Sequence, residues 1–194
     1  DWGGPIGLSF ATRHADRIKR IVVLNTACSL LLKFPWYLKV CASPILGQFL
    51  VQGLNVFLIA ASLLGCGKFN GIKGEKKKGY YYPDLSIKDR IAIYKFINDI
   101  PFSKNHPSRK AVEDLGENLH LLKDKPIIIC WGKKDPVFNK HYLASFEKNF
   151  PNAEVTAWDD AGHFVLEDKT QEIISLIQEF VATRDVDNAI ECAS

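Results

Sequence analysis

The sequence predicts an α/β protein: a parallel sheet with flanking helices, into which a mostly helical segment is inserted. Three observations carry this. Short, almost wholly apolar, β-branched runs stand at 20–25, 126–131 and 153–158, the pattern of strands buried on both faces of a parallel sheet. Helical patterns alternate with those runs at both ends of the chain. Between them, 27–120 carries helical patterns and no convincing strand.

Taken in order, 5–17 reads as a short helix, because Pro5 suits a first turn and Gly3-Gly4 lets the backbone bend sharply ahead of it. Arg20-Ile21-Val22-Val23-Leu24-Asn25 is the first strand. The segment from Gly65 to Gly79 reads as a Gly/Lys-rich loop. Pro126-Ile127-Ile128-Ile129-Cys130-Trp131, ended by Gly132, is the second strand. A helix follows over roughly 140–149, and Ala153-Glu154-Val155-Thr156-Ala157-Trp158 is the third strand. The last helix, roughly 169–183, places Ile173, Ile174, Ile177, Phe180 and Val181 on one apolar face against the sheet. The expected division is a partial core of 1–26 and 121–183, a helical cap of 27–120 and a tail of 184–194.

Composition bounds the function. At 194 residues, with 47% hydrophobic and 24% charged, the chain suits one domain with an insertion and excludes a disordered protein. A net charge of +3 argues against nucleic acid as a partner. The five cysteines are odd in number, scattered and without a CxxC pair, which fits a reducing cytoplasm and neither a disulfide framework nor a zinc site. No metal or other cofactor is expected. Met is absent, and the chain opens directly on Asp1-Trp2-Gly3-Gly4-Pro5. The expectation is therefore the C-terminal part of a longer protein, inactive in isolation. Val40–Gly67 carries no charge and has the length of a membrane span, but Pro44, Gly47, Gln48, Gln52, Gly53 and Asn55 interrupt it. It reads as cap helices lining an apolar pocket, with a lipid-touching surface as the alternative, and no transmembrane span is expected.

Three pieces carry chemistry. Asp1-Trp2-Gly3-Gly4-Pro5 ahead of a helix has the small residues a strained strand-to-helix elbow needs, with Asp1 at the reactive position. Trp131-Gly132-Lys133-Lys134-Asp135-Pro136-Val137 places Asp135 just past the C-terminal end of a buried strand. Asp160-Ala161-Gly162-His163-Phe164 places His163 just past the next one. All three fall on the strand edge where open α/β sheets bind ligands, in the order nucleophile, acid, histidine.

That order resembles the α/β-hydrolase superfamily, of which this chain is similar to the C-terminal part. Asp1-Trp2-Gly3-Gly4-Pro5-Ile6-Gly7 resembles the haloalkane dehalogenases and epoxide hydrolases, where Asp replaces the usual Ser. Further segments are similar to the β-lactone decarboxylases of bacterial olefin biosynthesis. They are Val22-Val23-Leu24-Asn25-Thr26-Ala27, Pro35-Trp36, Val40-Cys41, Gly47, Gly53-Leu54-Asn55, Gly79-Tyr80-Tyr81-Tyr82-Pro83, Arg90-Ile91-Ala92-Ile93 with Phe96, Asp99-Ile100-Pro101 and His106-Pro107-Ser108. The resemblance covers nearly the whole chain up to about residue 183. It implies Asp1 as nucleophile, His163 as base or proton carrier, and Asp135 as the group that fixes the imidazole tautomer. It also implies a leaving-group role for the Trp2 indole N–H and an oxyanion role for the Trp2 backbone N–H.

The implied reaction is conversion of a long-chain dialkyl β-lactone to an alkene and CO2. The alternatives are haloalkane dehalogenation through an alkyl-enzyme ester, epoxide hydrolysis, and a catalytically dead binding module. A small apolar substrate is the implied ligand, and contact with a membrane surface or a multi-enzyme assembly is a further implied partner. Blander readings stand beside these: Asp135 as a helix cap, Trp2 as core packing, His163 as a loop histidine. His106 is the next histidine of interest, Tyr80, Tyr81 and Tyr82 read as cap packing or epoxide-activating hydroxyls, and Lys76-Lys77-Lys78 as a solvated run or a site for anionic lipid.

Overall fold

The computed structural model describes residues 1–30, 34–67 and 71–191, with side chains of the last helix described as far as residue 182. Three parallel strands, β1 (Ile21–Leu24), β2 (Ile127–Gly132) and β3 (Glu154–Trp158), form a sheet in the order β1-β2-β3. Helix α1 (Gly3–Arg13) precedes β1. Between β1 and β2 run α2 (Trp36–Cys41), α3 (Leu46–Gln48), α4 (Val56–Leu64), α5 (Gly74–Tyr81), α6 (Ile91–Asn98) and α7 (Arg109–Asn118). Helix α8 (Lys140–Asn149) links β2 to β3, and α9 (Val165–Asp168) and α10 (Thr170–Glu191) complete the chain.

Strand alternation divides the core. Ile127, Ile129 and Trp131 face a cluster with Leu8 and Ala11 of α1, Leu115 of α7 and Phe146 of α8. Ile128 and Cys130 face Ala161, Val165, Ile173 and Phe180. Every residue of β2 is buried, and each large apolar side chain so covered contributes about 1.5–3 kcal/mol. The outer strands depart from the expected double burial: Val22 is 40% and Val155 39% exposed. Among the described residues each has a strand neighbour on one side only, and the helix layers centre on β2.

Other boundaries also moved. The first helix is α1 and a short 3-10 turn, Ala15–Arg17, rather than one helix over 5–17. Part of the expected Gly/Lys-rich loop is helix α5. Gly71 (φ 62°) and Gly74 (φ 59°) supply the bend into it, and Glu75 pairs with Lys78 along it at 2.6 Å. Residues 68–70 of that loop lie outside the described residues. The last helix runs through most of the expected tail, since no Gly or Pro follows residue 183 to stop it; Cys192 lies outside the described residues.

Between β1 and β2, α3 passes into a π-helical turn, Phe49–Gly53, which leaves carbonyls without their usual donors. Arg90 takes up two of them, donating from Nη1 to Gln52 O (3.2 Å) and Gly53 O (3.0 Å). Leu46–Gly53 and Val56–Leu64 meet at a 64° bend, and among the described residues no single helix is long and apolar enough to cross a membrane.

Candidate active site

Asp1 stands at the turn into α1. Its carbonyl accepts Gly4 N (3.1 Å) and the Thr26 hydroxyl, and its amino nitrogen donates to Asn25 O (3.0 Å). The turn is thus strapped to the end of β1. Gly4 is required for that approach, since a Cβ there would stand 2.0 Å from Thr26 Oγ1.

Asp135 lies past the end of β2 and is 4% exposed. Its Oδ1 accepts Val137 N (2.7 Å) and Phe138 N (2.9 Å). Its Oδ2 accepts Asn25 Nδ2 (2.9 Å) and faces His163 Nδ1 at 2.8 Å. Burial pushes the Asp135 pKa up, but the His163 bond and charge and the two backbone N–H groups outweigh it, and the net value lies below the ordinary carboxylate range. The helix-cap reading of Asp135 is corrected here: α8 is capped by Asn139, whose side chain accepts His141 N (3.0 Å), while Asp135 holds its own turn and the imidazole.

With Nδ1–H donating to Asp135, the His163 Nε2 is left facing outward, 3.8 Å from Asp1 Oδ2. Phe138 stacks on the ring (centroids 5.7 Å, 22°) and Phe164 meets it edge-on. The side chains grade from Asp135 at 0% exposed through His163 at 18% to Asp1 at 64%. The three residues singled out from sequence therefore converge at one sheet edge.

Asn25 was not singled out as a site residue. It is 3% exposed, its Nδ2 donates to both Gly132 O (2.9 Å) and Asp135 Oδ2, and its Oδ1 accepts Gly132 N (2.7 Å). The available signal was a carboxamide ending an otherwise apolar strand, a group that must find partners when buried.

A cavity of about 440 Å³ opens beside Asp1, lined mainly by apolar groups including Trp2, Leu38, Phe57, Phe96 and Phe138. Trp2 borders it, but its indole Nε1 donates to Phe96 O at 3.0 Å. Phe96 lies in the last turn of α6, where a carbonyl lacks its helical donor, and Ile100 N turns instead to Ile97 O. Tyr80 and Tyr81 bond Glu167 (3.2 Å) and Ser62 (2.8 Å), Tyr82 is 76% exposed, and none of the three lines the cavity. His106 bridges α6 to α7 through Asn98 O (2.8 Å) and Ser108 N (3.2 Å). Lys76 bonds Glu167 at 2.5 Å.

The sequence matches the family model for the alpha/beta hydrolase fold over residues 1–170. It is 36% identical over 184 residues to a cis-3-alkyl-4-alkyloxetan-2-one decarboxylase of Shewanella oneidensis, covering 93% of this chain and 58% of that protein. The protein of the same name from Xanthomonas campestris pv. campestris is 35% identical, with 93% and 61% covered. Haloalkane dehalogenase 2 of Mycobacterium tuberculosis is 27% identical, with 92% and 61% covered. The chain thus spans about three fifths of the length of these relatives. Among solved structures, the haloalkane dehalogenase DbeA-M1 loop variant of Bradyrhizobium elkanii superposes with a TM-score of 0.84 at 14% identity, covering 98% of this chain and 68% of that one. Haloalkane dehalogenase DatA of Agrobacterium tumefaciens gives 0.78 at 20% identity, covering 94% and 64%. At such identities the likeness is one of fold.

Proposed function

The chain belongs to the alpha/beta hydrolase fold family, and from that premise we propose that it carries the reactive residues of a β-lactone decarboxylase. The reading rests on the convergence of Asp1, His163 and Asp135 beside an apolar cavity, in a chain more than a third identical to a named decarboxylase of oxetan-2-ones.

In this reading Asp1 is the nucleophile and, as a carboxylate, needs no base to activate it. Its carboxylate attacks the ring carbon that bears the lactone oxygen. The C–O bond breaks, giving an alkyl ester with Asp1 and a pendant carboxylate. The C–CO2 bond then breaks, its electron pair forms the alkene, and the ester C–O bond breaks to return Asp1 as carboxylate. Atoms balance without water. Asp135 with Asn25 holds the His163 imidazole with Nδ1–H toward Asp135 and Nε2 toward Asp1; in its doubly protonated form the ring donates from Nε2 to the departing oxygen and keeps that proton when Asp1 is released. The Trp2 backbone N–H serves the developing charge.

The dehalogenase alternative asks the Trp2 indole to hold a halide ion. That N–H is already bonded to Phe96 O, which favours the lactone over a haloalkane. The apolar walls suit dialkyl substrates. We place the complete protein in the cytoplasm, in keeping with the free thiols of Cys28, Cys41, Cys66 and Cys130. The exposed apolar side chains Ile45 ahead of α3, Phe49 in the π-helical turn and Leu63 on α4 suit a peripheral contact with a membrane or a partner enzyme.

A mass-balance assay on the complete protein tests the reading. Alkene and CO2 in equal amounts from a cis-dialkyl β-lactone, reduced about 10³-fold or more in Asp1→Asn, is the expected result. Halide release from bromoalkanes, or a diol from an epoxide, without alkene would overturn it in favour of the dehalogenase or the epoxide hydrolase. Lactone binding without any turnover would mark a binding module.

A further inference from the structure

The loop that carries His163 is sandwiched between two other stretches of backbone. A Cβ on Gly132, at the end of β2, would stand 2.1 Å from Gly162 O. On the other side, a Cβ on Gly162 would stand 2.4 Å from Gly65 O, and one on Gly67 would stand 2.1 Å from Asp160 O. Gly65 O also accepts Phe164 N at 3.0 Å. The helical insertion therefore touches the histidine loop backbone to backbone, immediately before and after His163.

One side chain joins those two stretches. Asp168 Oδ2, at the end of α9, accepts both Gly162 N (2.8 Å) and Gly67 N (2.8 Å). Both N–H groups thus converge on a single carboxylate oxygen. Among the described residues the neighbouring Glu167 side chain bonds Tyr80 and Lys76 of the insertion. Asp135 fixes the imidazole ring of His163 from one side. The backbone from which that ring projects is fixed from the other side, at Gly162, by Asp168.

We infer that Asp168 is a positioning residue for His163, tying the placement of the imidazole relative to Asp1 to the seating of the helical insertion on the sheet. The inference deepens the proposed function and rests on it for its kinetic consequence. Its geometric content, that Asp168 sets the Gly162–His163 backbone, stands apart from the reaction. A charge-assisted pair of bonds is lost when the carboxylate is removed, and displacement of a reacting group by about 1 Å costs on the order of 10²-fold in rate.

The experiment compares Asp168→Ala, Asp168→Asn and Glu167→Gln in the complete protein by three readouts: kcat and KM on a cis-dialkyl β-lactone, the proton NMR signal of the His163 Nδ1–H, and hydrogen exchange at the Gly162 amide. Asp168→Ala is expected to lower kcat about 10²-fold with KM within about twofold, broaden the Nδ1–H signal and speed Gly162 exchange. Asp168→Asn keeps an acceptor oxygen without the charge and is expected to fall between Ala and wild type on all three. Glu167→Gln is expected to match wild type in the NMR signal and in Gly162 exchange. Wild-type kcat with an unchanged Nδ1–H signal in Asp168→Ala would overturn the inference. Should that variant not fold, wild-type kcat and Gly162 exchange in Asp168→Asn would do the same. A wild-type protein that makes no alkene overturns the proposed reaction instead, and the NMR and exchange readouts still decide the positioning role.

Discussion

Replacing Asn25 by Ala should cost more stability than its small size suggests. The side chain makes three hydrogen bonds at 3% exposure: one given to and one taken from Gly132, and one given to the Asp135 carboxylate. Each neutral bond is worth about 1 kcal/mol and the bond to a charged acceptor about 1.5–3 kcal/mol, so the loss sums to about 3.5–5 kcal/mol. Water that enters the vacated space would recover part of this. Against a typical total of about 5–15 kcal/mol, that is a large share. Denaturant titration of the complete protein measures it, read as a lower midpoint at unchanged slope. A double-mutant cycle with Asp135→Asn should show a coupling of at least about 1 kcal/mol, because the two side chains touch. A loss below about 1 kcal/mol, or strict additivity in the cycle, would refute the claim that Asn25 braces the acid.

Two further outcomes follow from the same site. Because Asp135 is held below its ordinary pKa, its folded-state carboxylate adds stability above the unfolded-state value near 3.9; that stability fades as the pH falls through the lowered folded value. Acid unfolding followed by circular dichroism should therefore be less steep below about pH 4 in Asp135→Asn than in wild type. Trp2→Phe removes the donor to Phe96 O while keeping an aromatic wall, so alkene formation should stay within about tenfold of wild type. A loss of 10³-fold would mean that the indole N–H serves the reaction directly.

How much was legible in the sequence depended on the range of the signal. The segment Pro126–Trp131 is so uniformly apolar that only a central strand suits it, whereas the helix cap offered at Asp135 lies on Asn139, because the buried Asp135 is taken up by its own turn and the imidazole. Asp1, Asp135 and His163 could be placed at one edge because each follows or precedes an element whose direction the parallel pattern fixes. Helix α5 was missed because Gly71, Gly74 and Gly79 weigh toward a loop, while the contacts that seat it, Tyr81 on Ser62 and Tyr80 on Glu167, join residues far apart in sequence. The brace by Asn25 and the bond between Trp2 and Phe96 are hidden for the same reason. Their partners lie 107 to 110 and 94 positions away.

The bond between Trp2 and Phe96 has a consequence for how the cavity walls are joined. The indole ties the turn that carries Asp1 to the last turn of α6 by a single neutral bond, and both rings line the same cavity. Two walls of that cavity, drawn from opposite ends of a stretch of 94 positions, are thus held together at one point worth about 1 kcal/mol.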